Sequence, residues 1–309
     1  MRRAPSGAAL RGAALALVLA LLPGAAAADE ALVPVPRIAN GVPTTAWPEV
    51  GVLLLDGGQC SATLVGCRTA LTAAHCVCTG DGTGAPCGDG GRLRDPGNLL
   101  LFLPRAGVFG VRSLAIPPNY AFGAQGDLAV LDLGGPVRAV RPRAINEQQR
   151  PPLGSLGTIV GFGSTTQIEG DGGIQRAGAV VTASCANVSS ATHLCWNFVT
   201  PPGPAGTQSN TCPGDSGGPL LVDLGAGSVL AGVHSGGFGL TCQGSGSSFD
   251  TDVFVARDWL RDTAGVELDD LRCGGGPHVG EPGAGLGAFA GAPGAPVSHS
   301  LAPPPDTKG

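Results

Sequence analysis

From about residue 50 to about residue 235 the apolar residues come in short bursts, most of them closed by Gly, Pro, Asp or Asn. The segments GVLLLDGG, CSATLVG, RTALTAA, NLLLFLP, GVFGVRSLAI, DLAVLDL, GSLGTIVGFG, AGAVVTA, GPLLVDL and SVLAGVHSGG all have strand length. Their punctuation is that of turns. Strands this short, with no helical segments alternating between them, bury an apolar face only by stacking sheets or closing them into barrels. An all-β sandwich or barrel is therefore expected. A convincing 3.6-residue period first appears at residues 255–266, VARDWLRDTAGV, and predicts one C-terminal helix. The polar, Pro-containing stretch at residues 147–155 is the best linker between two sheet halves.

Neither end fits that pattern. Residues 1–28 carry Arg2, Arg3 and Arg11, then an apolar run at residues 13–22, then small residues. A basic head, a short apolar core and an Ala-x-Ala-like exit describe a signal peptide cleaved after Ala28. The run is too short to cross a bilayer comfortably, which disfavours a membrane helix. The expected location is therefore secreted, with no stable membrane association. At the other end, residues 274–309 take up much of the chain's excess of Gly (53 residues) and Pro (27 residues). With almost no large apolar side chains they cannot bury a core, and disorder is expected.

In an exported chain the ten cysteines point to disulfides rather than a redox centre. No CxxC pair, zinc-type spacing or DxDxDG loop occurs, so neither a metal nor a cofactor is expected. His193 and His234 stand isolated, and His234 reads as a wall or core residue rather than a ligand. A net charge of −5, with 13% charged residues and no basic block, argues against a nucleic-acid partner. Asn187-Val188-Ser189 is a glycosylation sequon where the host modifies exported proteins.

Three segments could carry chemistry. Ser216 lies in CPGDSGGPL, where glycines at 214, 217 and 218 allow a sharp turn and bring backbone N–H groups around a developing oxyanion. A serine hydroxyl needs a base, and the base needs an orienting group. His75 closes LTAAHC, between a strand-like run and a cysteine. Asp127 opens the apolar strand of QGDLAVLDL. Each has an ordinary reading: a glycine-rich turn, a structural histidine, a turn cap.

Together, and in this order, the TAAHC, DLAV and GDSGGP segments resemble the trypsin/chymotrypsin family of serine endopeptidases, over Ile38 to about Leu260. The resemblance implies two six-stranded Greek-key barrels with a C-terminal helix, and a cleft between them. It assigns His75 as general base and then acid, Asp127 as its orienting group, Ser216 as nucleophile, and the amides of Gly214 and Ser216 as the oxyanion hole. The protease domain would span residues 38–273, after a propeptide at residues 29–37. Arg37-Ile38-Ala39-Asn40-Gly41 resembles the family's activation junction. Cleavage after Arg37 would free the Ile38 amine to pair with Asp215. The same plan pairs Cys60 with Cys76, Cys185 with Cys195, and Cys212 with Cys242. Cys67, Cys78, Cys87 and Cys273 then allow three pairings; Cys78 with Cys87 is the local choice, leaving Cys67 for Cys273.

The family position six residues before the nucleophile, the floor of the specificity pocket, is Asn210. A neutral amide does not offset a buried cation, so uncharged apolar or aromatic P1 residues are expected and Lys or Arg disfavoured. Ser235 and Gly237 would line the pocket and bind substrate backbone. Gly236 stands where the family generally has Trp, implying a flatter, looser platform. Beyond Cys242 the match weakens, and Asp250 or Asp252 could reach the pocket and restore a basic preference. Substrates would be proteins or peptides, the activator a separate trypsin-like protease, and the enzyme a monomer. An inactive binding homologue would need loss of His75, Asp127 or Ser216, and none is lost. A lipase-type G-x-S-x-G elbow needs an α/β setting that these strands do not offer.

Overall fold

The computed structural model describes residues 38–79, 87, 91–164 and 172–273. The expected signal peptide, the propeptide with Arg37, and the C-terminal tail lie outside the described residues. In chain order the strands are β1 (Val42–Pro43), β2 (Val50–Leu55), β3 (Gly58–Leu64), β4 (Thr69–Thr72), β5 (Cys78–Thr79), β6 (Arg92–Leu93), β7 (Leu100–Leu103), β8 (Gly107–Ala115) and β9 (Ala129–Leu133). They continue with β10 (Leu156–Gly161), β11 (Arg176–Ala183), β12 (His193–Phe198), β13 (Pro219–Asp223), β14 (Ser228–Phe238) and β15 (Gly246–Asp252). A single helical turn, α1 (Ala74–Val77), follows β4, and a longer helix, α2 (Val253–Ala264), follows β15.

The first half closes as a barrel in the order β2-β3-β4-β9-β8-β7. Its hairpins are short because the turn chemistry is local: β2 and β3 join through Asp56-Gly57, with Gly57 at φ 83°. Leu53, Leu64, Leu101, Leu103, Leu131 and Leu133 fill its interior. The second half runs β11-β10-β13-β14-β15-β12 and closes by pairing β12 with β11. Strand β1 adds to its edge along β11. Ile38, Ile159, Val180, Trp196, Leu220 and Ala231 pack inside it. The architecture is two antiparallel six-stranded barrels, as the resemblance implies.

A third apolar cluster joins the barrels. Val52, Leu71 and Val130 come from the first, Val160, Leu221 and Leu230 from the second, and Val253 and Leu260 from α2. The connection between barrels is stitched to both: Arg143 N donates to the Leu64 carbonyl and Asn146 N to the Leu230 carbonyl. The Arg143 guanidinium also pairs with the buried Glu49. Residues 147–155 lead from this seam into β10, and Arg150 ion-pairs with Asp252.

Helix α2 begins two residues before the sequence-expected start because Asp252 is its cap, accepting from Phe254 N and Val255 N. Gly265, at φ 59°, ends it. The ten cysteines form five disulfides: Cys60–Cys76, Cys67–Cys273, Cys78–Cys87, Cys185–Cys195 and Cys212–Cys242.

Candidate active site

Strand β4 ends at Thr72, and the chain turns at once into α1, which carries His75. The turn has no side-chain cap of its own. Asp127, just before β9, supplies the missing acceptor: its Oδ1 takes the His75 backbone N–H at 2.9 Å, and its Oδ2 takes Nδ1 at 2.8 Å. One carboxylate thus fixes both the backbone and the ring of the histidine. Because Nδ1 donates to a carboxylate, Nε2 is the nitrogen left to accept a proton. Among the described residues the His75 ring hydrogen-bonds Asp127 alone, so Nε2 is open toward the cleft.

Asp127 is fully buried. Ser235 donates to Oδ2 at 2.5 Å, and Thr251 Oγ1 donates to the Asp127 carbonyl at 2.8 Å. Burial pushes the Asp127 carboxyl up; the His75 charge and the hydrogen bonds from His75 and Ser235 outweigh it and hold the carboxyl below the usual range. It is therefore an anion at neutral pH, as an orienting group must be.

The loop carrying Ser216 lies directly on β3 and the end of β4. Ser61 N donates to the Ser216 carbonyl at 2.7 Å, and Ser61 Oγ to the Gly214 carbonyl at 3.1 Å. A Cβ on Gly217, at φ 79°, would stand 2.1 Å from Thr72 Oγ1 and 2.4 Å from the Ser61 carbonyl oxygen. Only glycine permits that approach. The contact brings the Ser216 loop against the strand that delivers His75. The bond from the Ser216 hydroxyl to Nε2 is left for a substrate complex, where such contacts tighten.

The loop's amides are divided in two sets. Those of Asp215, Gly217 and Gly218 donate to the carbonyls of Cys212, His234 and Asp215. Those of Gly214 and Ser216 have no backbone acceptor among the described residues, which suits an oxyanion hole. Asp215 turns inward and accepts from Gly163 N at 2.8 Å and Cys212 N at 2.9 Å. Full burial raises its carboxyl to about 6, against the opposing pull of those two amides, His234 and Arg176. Ile38 is buried at 1% exposure, and Ala39 bridges to Asn210.

A cavity of about 250 Å³ opens beside Ser216. Asn210, Ser248 and the Cys212–Cys242 disulfide form part of it, with Gly236, Gly237 and Phe238 along one wall. Asn210 is committed to that wall: Nδ2 donates to the Cys242 carbonyl at 3.1 Å and Oδ1 accepts from Ser248 at 2.5 Å. His234 also lines the cavity. Its Nδ1 meets the buried Asp250 at 3.0 Å.

The trypsin family's sequence profile matches residues 39–260. The chain belongs to the trypsin family. Its similarity to individual members is modest: 31% identity to serine protease 56 of Homo sapiens, over 73% of this chain and 38% of that protein. It is 28% identical to the vitellin-degrading protease of Bombyx mori, over 72% of this chain and 84% of that one. It is also 28% identical to phenoloxidase-activating factor 3 of Holotrichia diomphalia, over 67% of this chain and 64% of that one. The chain spans well under half the length of serine protease 56 and 17% of transmembrane protease serine 9 of Rattus norvegicus.

Against that family background the structure corrects two sequence expectations. Neither Asp250 nor Asp252 lines the cavity. Asp250 is spent on His234, and Asp252 caps α2 and pairs with Arg150. Both sit on β15, held between β12 and β14, and both are fully buried. The Gly236 platform is also less open than expected. Phe122, from the loop before Asp127, meets the His75 ring edge-on at 5.4 Å between centroids. A Cβ on Gly236 would lie 3.5 Å from Phe122 Cζ and 2.9 Å from Phe249 Cζ. Two phenylalanines from other segments occupy the neighbourhood of the missing Trp. The sequence signal for Phe122 was slight, an aromatic in the loop PPNYAFGAQGD.

Among the described residues, no helix is long and apolar enough to cross a membrane. The one grouping with metal-ligand proximity among the described residues, Cys60, Cys76 and His75, contains a disulfide rather than two thiolates.

Proposed function

We propose that this chain is a secreted serine endopeptidase, made as a zymogen and activated by cleavage after Arg37. The observation that carries the reading is the His75–Asp127 pair, with Nε2 free, set against a Ser216 loop whose Gly214 and Ser216 amides are unspent. In the reaction Nε2 takes the Ser216 hydroxyl proton as Oγ attacks the scissile carbonyl. The carbonyl oxygen becomes an oxyanion held by the Gly214 and Ser216 amides. The imidazolium, stabilised by Asp127, returns the proton to the leaving amine, and water then hydrolyses the acyl-enzyme by the same path.

Cleavage after Arg37 frees the Ile38 amine to pair with Asp215, whose backbone lies between the two oxyanion-hole residues. The pair offsets the burial of both charges and orders the hole. Support comes from the burial of Ile38 and the elevated carboxyl of Asp215. Among the described residues no carboxylate lines the P1 cavity, so it disfavours Lys and Arg and takes uncharged apolar or aromatic side chains, with Ser235 and Gly237 binding substrate backbone. The enzyme then depends on a separate trypsin-like protease for activation. Its substrates are proteins or peptides, and it works as a monomer.

The test is labelling by a fluorophosphonate probe and cleavage of a peptide library, before and after trypsin treatment, with Ser216→Ala as control. Labelling and cleavage that appear on treatment and are absent from the control are expected. An untreated chain that is already fully active sinks the zymogen reading. No labelling despite a sequenced Ile38 terminus sinks the protease reading.

A further inference from the structure

The outer face of the first barrel carries an apolar strip outside the site described above. Strand pairing places Gln59 on β3 opposite Leu54 on β2, Leu54 opposite Leu100 on β7, and Phe102 opposite Val108 on β8. Directly paired residues point to the same side of a sheet, as do residues two apart on one strand. Gln59, Leu54, Leu100, Phe102 and Val108 therefore share one face, while Leu53, Leu101 and Leu103 on the other face fill the barrel. At Val50 and Val52 the outer face is buried against the second barrel. Beyond Val52 it emerges: Leu54 is 40% exposed, Leu100 42%, Phe102 37% and Val108 59%. The solvent face of an antiparallel sheet is ordinarily polar. Four neighbouring apolar side chains there mark a surface that something else covers. Its near end is concave, where Leu54, Leu55, Asp56, Asn98 and Leu100 line a depression of about 350 Å³.

The position of the strip decides its occupant. Gln59 stands between it and the Ser216 loop: Nε2 donates to the Phe162 carbonyl at 2.9 Å, and a Cβ on Gly214 would lie 3.2 Å from that nitrogen. Two residues on, and on the same face, Ser61 bonds the Ser216 and Gly214 carbonyls. The Ser216 loop is thus bonded to β14 on one side, through the His234 backbone, and to β3 on the other. In the endopeptidase reading above, on which this inference rests, the acyl half of a substrate lies along Ser235 and Gly237 of β14. The half that follows the scissile bond then leaves across β3, and the strands it meets next are β2, β7 and β8. Strands lie about 4.8 Å apart and an extended chain rises about 3.3 Å per residue, so about four or five residues carry it from Gln59 to Val108.

We propose that Leu54, Leu100, Phe102 and Val108 form a docking surface for the leaving-group half of protein substrates. It selects aliphatic or aromatic side chains at about the third to the eighth residue after the cut. Strands β2, β7 and β8 are each paired on both sides within the closed barrel, so no edge is offered for an added strand. Recognition therefore rests on burial of apolar side chains. A second copy of this chain or a lipid surface would also cover apolar residues. Neither accounts for the strip being continuous with the sheet face that holds the Ser216 loop.

The experiment uses the trypsin-cleaved full chain and three peptides that share the acyl half selected in the library assay. One ends about two residues after the scissile bond. Two continue for about ten, one with Leu and Phe at about the fourth to seventh positions and one with Ser there. The apolar long peptide should exceed its Ser counterpart in kcat/KM by about tenfold, mainly through KM. In the double variant Leu100→Thr with Val108→Thr, β-branched residues still suit the strands. The advantage should then fall to about twofold or less, while the short peptide is cut within about twofold of the wild-type rate. Equal rates on the two long peptides in the wild type overturn the proposal, whether or not the double variant folds. An advantage that survives in the folded double variant overturns it too. So does dimerisation in analytical ultracentrifugation, or co-flotation with phosphatidylcholine vesicles, that the double variant abolishes with no preference between the long peptides. Failure to cut any of the three, with no fluorophosphonate labelling, overturns the endopeptidase reading instead.

Discussion

Asp127 does more at the site than its place in the sequence suggests. Its two oxygens accept from the backbone and ring of His75 and from Ser235, and its carbonyl accepts from Thr251. Asp127→Asn keeps the volume but presents an amide N–H₂ to one of those donors. The His75 tautomer is then free to reverse, with Nε2 protonated and useless as a base. A fall in kcat of about 10⁴-fold is expected, by the precedent of a tautomer-fixing carboxylate changed to its amide. Steady-state kinetics of the cleaved variant, with KM changing far less than kcat, would check it; a loss under about tenfold would remove Asp127 from the role. His75, Asp127 and Ser216 were legible because short motifs in fixed order flank them. Phe122 was not, because it contributes through a loop whose path depends on tertiary packing, whereas His234, read as a wall or core residue, does line the cavity wall.

At the scale of elements, the strands were readable because most apolar bursts are ended by a residue whose backbone preference stops them, as Asp56-Gly57 does between β2 and β3. Which face of β15 turns inward was not readable, because the match weakens past Cys242. The register slips between His234 and Gly236, where β14 pairs irregularly with β15, and a one-residue slip exchanges inside for outside. The end of the chain's folded part depends on a link from afar. Cys67–Cys273 closes a separation of 206 residues and ties the segment after α2 to the first barrel. A loop that long stabilises by up to about 5 kcal/mol in the chain-entropy picture, with measured values mostly about 2–4 kcal/mol. The double variant Cys67→Ser with Cys273→Ser should lower Tm by about 5–10 °C. Because the bridge is remote from Ser216, kcat/KM at low temperature should hold within about twofold. Scanning calorimetry beside peptide kinetics tests both halves, and an unchanged Tm would show that α2 holds its place without the bridge.

For the whole molecule, the proposed switch couples activity to stability through one buried acid. In the uncut chain the Asp215 carboxyl is raised to about 6 by burial. A raised carboxyl favours the protonated fold, so its stabilising contribution is complete below about pH 4 and lost as pH rises through about 6. The shift corresponds to about 3 kcal/mol at most. Cleavage after Arg37 reverses the sign. An ammonium beside the carboxylate favours the ionised acid, pulling its pKa down, so its contribution persists above about pH 4 and is lost only on further acidification. Asp127, held low in both forms, cancels from the difference. The gap in Tm between cut and uncut chains, each carrying Ser216→Ala to prevent autolysis, should therefore widen in favour of the cut form from about pH 4.5 to about pH 7.5. A gap that stays constant across that range would mean that Asp215 titrates alike in both forms. The Ile38 amine would then not be its partner, and ordering of the Gly214 and Ser216 amides would have to come from contacts already present in the uncut chain, chiefly the Gly163 and Cys212 hydrogen bonds.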